Sequence, residues 1–157
     1  MKYLFIALTI SLVLNCNTQS KVDYKEMIRR SHLVFVDAIL TEDYDLVSNI
    51  LADDVTFGTP GGGFGTKQAF VNALKNNTLF YDSAANHIFN VRLYGTVGIA
   101  NDNVDLIFRY KDKNNDWFRM LEHLTFTSAY IKDKKSIKMI AWQSTRPTTD
   151  YAVKVFQ

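Results

Sequence analysis

The sequence is poor in residues that staple, break or strongly charge a chain. Its single cysteine, Cys16, leaves no pair for an internal disulfide, so packing alone must hold the domain. Three histidines, His32, His87 and His123, are too scattered for metal-ligand spacing, and no metal or other cofactor is expected. The two prolines punctuate elements, Pro60 in a turn and Pro147 after the last strand. A net charge of +2, with both signs interspersed, excludes the basic stripe that nucleic-acid binding requires and any polybasic membrane patch. With 47% apolar and 22% charged residues, the composition is that of a globular chain, which excludes disordered and collagen-like classes. A length of 157 residues fits one domain with a real core.

The N-terminus stands apart from that domain. Met1-Lys2 precedes an apolar run, 3–14, that is too short to span a bilayer comfortably, and polar residues 15–21 follow. This is the layout of a secretory signal. The expected division is a leader and tether over 1–21, one domain over 22–147 and a loose tail over 148–157. Cys16 ends the apolar run in Leu12-Val13-Leu14-Asn15-Cys16, which resembles a bacterial lipoprotein signal, although Asn15 departs from the usual small residue. The resemblance implies lipidation at Cys16 and membrane attachment through that lipid alone. An ordinary secreted protein is the alternative, and either reading exports the chain to the periplasm or cell surface.

Periodicity changes along the domain. Residues 24–40 repeat apolar positions at helical spacing (Met27/Ile28, Val34/Phe35, Ala38/Ile39). Thr41 is the expected N-cap of a second helix carrying Leu46, Val47, Ile50 and Leu51; Asp53-Asp54 stops it before a short strand at 55–57. A turn-rich hairpin spans 58–65, and Thr66 caps a third helix. Beyond Thr78 the period becomes two, giving strands near 89–94, 104–110, 117–132 and 137–145. Helices first and an antiparallel meander afterwards indicate an α+β domain.

The segment from Ile50 to Gly65, Ile-Leu-Ala-Asp-Asp-Val-Thr-Phe-Gly-Thr-Pro-Gly-Gly-Gly-Phe-Gly, together with Ala-Trp-Gln-Ser-Thr at 141–145, resembles the nuclear transport factor 2-like superfamily. The likeness covers about 24–146, and 101–146 looks most like its SnoaL-like group. It implies three helices packed on a strongly curved antiparallel sheet that encloses a pocket. In ketosteroid isomerase, the best-understood catalyst of that superfamily, the general-base aspartate and the oxyanion-hole tyrosine match Thr59 and Phe35 here. Neither residue can take a carbon-bound proton or stabilise an enolate, so that reaction is not expected.

The resemblance places Phe35, Phe57 and Thr59 on the cavity. On the long strand, Leu121, His123, Thr125 and Thr127 alternate with Met120, Glu122, Leu124 and Phe126. The first set is more polar and is expected to face the pocket, although a one-residue slip reverses the assignment. His123 titrates near neutrality and is the acid-base candidate; a hydrogen-bonded sheet histidine is the plainer reading. His32 reads as a boundary residue. Tyr81, Phe108, Tyr130 and Trp142 offer an aromatic lining, and Gln143 a hydrogen-bonding partner. Arg109 and Arg119 either meet an anionic ligand or pair with acids across strands. Residues 61–67 lack the Gly-Lys-Ser/Thr ending of a phosphate loop, and Ser83, Ser128 and Ser144 sit in no nucleophile elbow.

Three functions follow as expectations. The first is an exported, lipid-anchored protein that binds a small hydrophobic or amphipathic molecule. The second is a SnoaL-like cyclase, lyase or isomerase using His123. The third is a homodimerising interaction domain whose pocket is plugged by Phe35, Phe57 and Phe108.

Overall fold

The computed structural model describes residues 23–134 and 136–146, and the backbone of Val155–Phe156. Cys16 and the leader lie outside the described residues, as does most of the expected tail.

Residues 23–40 form helix α1, and its buried positions Ile28, His32, Phe35 and Ile39 repeat at steps of four and three, which keeps them on one stripe. The helix ends in a Schellman motif: the Asp43 N–H reaches the Ala38 carbonyl and the Glu42 N–H reaches that of Ile39. Glu42 takes the left-handed φ of 61° that this motif needs. Helix α2 (Tyr44–Ile50) is capped by Asp43, not by the expected Thr41, because the Asp43 carboxylate accepts from the Leu46 N–H at 3.0 Å. The Thr41 hydroxyl instead donates back to the Asp37 carbonyl.

Strand β1 (Leu51–Gly58) follows at once and includes Asp53-Asp54, so those acids lie in the strand and do not terminate the helix. A turn centred on Gly62 (φ 83°) leads to strand β2 (Phe64–Thr66) and helix α3 (Lys67–Lys75), with Thr66 as its N-cap as expected. Four long strands come next: β3 (Leu79–Tyr94), β4 (Val97–Lys111), β5 (Trp117–Asp133) and β6 (Ser136–Thr145). Within the stretch expected as a tail, Val155–Phe156 forms strand β7 against Phe118 and Arg119 of β5.

The sheet order is β2-β1-β6-β5-β4-β3. β1 runs parallel to β6, pairing Phe57 with Trp142, while the other strand pairs are antiparallel; the sheet is mixed where a wholly antiparallel one was expected. Three helices pack on its curled, unclosed surface, giving the α+β class that the sequence indicated. Close seating of α1 on β4 depends on Gly98, since a Cβ there would lie 2.1 Å from Ile28 Cδ1. One core cluster joins Ile28, Phe35, Val47 and Leu74 to Tyr130; a smaller one holds Val104, Leu106, Leu124 and Phe126. Tyr81 and Trp142 pack against both. Among the described residues no helix is long and apolar enough to cross a membrane.

Candidate functional site

Register decides which side chains reach the interior. β4 and β5 pair Asp102 with Phe126, Val104 with Leu124 and Leu106 with Glu122, and all six are buried. The intervening pairs, Asn101 with Thr127, Asn103 with Thr125 and Asp105 with His123, share the opposite face.

An outer chamber of about 500 Å³ opens between β1, α3 and the concave sheet. Phe57, Thr59, Phe70, Tyr81, Phe108, Leu124, Phe126 and Trp142 line it. Phe57 stacks on Phe70 at 4.8 Å, and Trp142 meets Phe57, Phe70 and Phe126 at 5.7, 6.0 and 4.9 Å between ring centres. Polar groups are few. Glu122 lies on the wall with its side chain only 4% exposed, paired with the guanidinium of Arg146, which is 42% exposed. Burial, followed by the negative charge of Glu122, pushes the Tyr81 phenol above its ordinary pKa, so it remains protonated and a donor.

A smaller inner chamber of about 30 Å³ shares Tyr81, Leu106, Phe126 and Trp142 with the outer one. Phe35, His32 and Asp102 also line it. His32 Nε2 lies 3.0 Å from Asp102 Oδ2 and its Nδ1 lies 2.9 Å from the Tyr130 hydroxyl; all three residues are buried. Burial holds the Tyr130 phenol well above its ordinary pKa, against the opposing hydrogen bond from Ser128. Asp102 Oδ1 is buried with no hydrogen-bond partner among the described residues.

Of the residues expected on the cavity, Phe35, Phe57, Thr59, Tyr81, Phe108 and Trp142 line it. Phe35, Phe57 and Phe108 form its walls and do not plug it. Leu121, His123, Thr125 and Thr127 do not line it: they occupy the outer sheet face, reversing the expected orientation of β5. There His123 is about half exposed and paired with Asp105, Thr125 donates to Asn103, and Asn101 donates to Thr127. Gln143 is also outside, its side chain filling the space that Gly58 leaves by having no Cβ. Arg109 and Arg119 both contact Asp82, at 2.9 and 3.3 Å, the cross-strand pairing weighed against anion binding.

The residues missed were His32, Asp102, Glu122 and Arg146. The first two carried a signal. His32 interrupts an apolar helical stripe (Ile28, Phe35, Ile39), and Asp102 falls in phase with Ala100, Val104 and Leu106. A polar residue on an apolar period must find a partner inside. No cluster of metal-ligating side chains occurs among the described residues.

No protein-family model and no curated protein matches the chain. Solved structures do. An NTF2-like protein from Cytophaga hutchinsonii superposes with a TM-score of 0.66 at 18% identity, covering 78% of this chain and 98% of that one. A putative scytalone dehydratase from Novosphingobium aromaticivorans gives 0.70 at 14% identity, with 89% and 95% covered. A LinA-type hexachlorocyclohexane dehydrochlorinase from Novosphingobium barchaimii gives 0.64 at 10% identity, with 88% and 94% covered. Likeness at these identities is one of architecture, and on it the chain has the nuclear transport factor 2-like fold.

Proposed function

We propose that the protein binds one small, largely apolar molecule in the outer chamber. The observation that carries this reading is an aromatic-walled space of about 500 Å³ inside the domain, within the range of small-molecule sites. Native mass spectrometry of gently purified protein tests it. An added mass that leaves on denaturation is expected. A clean apo mass, with no quenching of tryptophan fluorescence by any aromatic probe, would remove the proposal.

A second reading, an acid-base lyase of the SnoaL-like kind, draws support from the inner chamber. Both His32 nitrogens are engaged, by Asp102 and Tyr130, so the acceptor left over is Asp102 Oδ1. In an elimination that oxygen takes a proton, relayed by the one water the inner chamber has room for, from a carbon beside a leaving group held in the outer chamber; the C–H pair becomes the new double bond, and the leaving group departs with its own electron pair. The fold neighbours named as a putative dehydratase and a dehydrochlorinase give this reading its reaction class. Incubation with haloalkane probes should then release halide and the matching alkene in wild type and neither in Asp102→Asn. Elimination that survives in the variant would exclude Asp102 as the base.

Export and lipid anchoring at Cys16 rest on the layout of the leader. Cys16→Ser should move the protein from the membrane fraction to the soluble one; unchanged fractionation would count against the anchor.

A further inference from the structure

Asp102 is the least comfortable group in the interior. Its side chain is 2% exposed on the inner face of β4, between Ala100 and Val104 in the buried phase. One carboxylate oxygen is met by His32; the other has no partner among the described residues. A buried, unmatched acceptor is costly, which makes it a place where a ligand group has something to gain.

The direction of the hydrogen bonds follows from the chemistry of the chain. Tyr130, kept as a phenol, donates to His32 Nδ1; the ring proton is then on Nε2 and is donated to Asp102 Oδ2. Every donor along this line is spent before Oδ1 is reached. The other polar groups on the inner wall, the exposed Asn86 side chain, the Tyr81 phenol and the Trp142 indole N–H, make no hydrogen bond to Oδ1. About 30 Å³ admits one group the size of a water molecule and no more. The inner chamber adjoins the outer one through Tyr81, Leu106, Phe126 and Trp142.

On the small-molecule reading above, we infer that the ligand carries a single hydroxyl or primary amine at one end, which enters the inner chamber and donates to Asp102 Oδ1 while its apolar body fills the outer one. A carboxylate-tipped molecule is disfavoured twice, because it brings no donor and meets a like charge. The pocket therefore selects for an alcohol or amine tip over an acid of the same shape.

Isothermal titration of the purified protein with naphthylmethanol, naphthylmethylamine, ethylnaphthalene and naphthoate tests this on matched apolar bodies. The alcohol, the amine or both should bind about tenfold or more tightly than ethylnaphthalene, and naphthoate should be the weakest. A tighter amine identifies a cationic tip, a tighter alcohol a neutral one. Asp102→Asn, with its amide donor turned to the chamber, should lose the amine preference and gain affinity for methyl naphthyl ketone. Tyr130→Phe leaves Oδ1 in place and should keep the wild-type ranking. Ethylnaphthalene binding as tightly as the donor-tipped probes overturns the inference and leaves the small-molecule reading standing. Failure of all four probes overturns that reading and the inference with it. The wild-type ranking decides the matter even if Asp102→Asn does not fold.

Discussion

The two faces of β5 make a controlled contrast, because adjacent residues carry similar chemistry into opposite surroundings. Glu122 and His123 are both ionisable and both paired, with Arg146 and Asp105. Yet Glu122 is 4% exposed on a cavity wall, whereas His123 is 48% exposed on an outer face of Asn, Thr and Asp side chains. A half-solvated pair on a sheet surface contributes little and is screened by salt. A buried carboxylate depends on its partner, because the cost of its desolvation has to be offset locally. The inner face also carries the second core cluster, Leu124 and Phe126 with Val104 and Leu106. A ligand cavity in a domain of this size is a thinned part of the core, and its lining is therefore apolar.

That contrast explains what the sequence could and could not reveal. Helical spacing over 24–40, the cap at Thr66 and the alternation along the long strands were legible because each is a local period or a local hydrogen bond. The orientation of β5 was not. Polarity alone pointed the wrong set at the pocket, because His123, Thr125 and Thr127 are polar through facing solvent. The parallel pairing of β1 with β6 was also hidden, since no periodicity encodes which distant strand lies alongside. Asp102 and His32 were recoverable as polar interruptions of apolar stripes, although their meeting required the fold.

The contrast is open to attack at several strengths. Two leucines three positions apart give the largest effect: Leu124→Ala should cost about 2–3 kcal/mol through transfer and cavity terms. Leu121→Ala on the outer face should stay within about 0.5 kcal/mol in the same urea titration. Equal costs would mean that the two faces are misassigned.

Cutting the ion pairs comes next. Arg146→Ala strands a buried carboxylate and should cost about 2 kcal/mol, whereas Asp105→Ala should cost about 0.5 kcal/mol or less. Chemical denaturation at low and high salt would separate them, because only the outer pair should lose its contribution as salt rises.

Tyr130→Phe removes one buried hydroxyl and leaves His32 Nδ1 unmatched, a loss of about 1 kcal/mol. Tyr94→Phe, at an exposed position, should change nothing measurable in a thermal melt.

The smallest effect is a pH dependence far from the cavity. A hydrogen bond from Lys67, and then its charge, hold Asp53 below the ordinary carboxylate value of 3.8. A depressed folded-state pKa adds stability above 3.8 that is lost as the pH falls through the lower folded value. Lys67→Met should flatten that acid-side slope. An unchanged slope would show that Asp53 and Lys67 are not coupled in solution.

The parallel seam between β1 and β6 has a temporal meaning. Phe57 and Trp142, side by side on that seam with ring centres 5.7 Å apart, belong to the first and the last of the strands that wall the outer chamber, with most of the domain between them. A pairing of such high contact order closes a long loop, and that entropy must be spent before its contacts reward it. A chain still emerging from the ribosome lacks this wall of the chamber until β6 has been made.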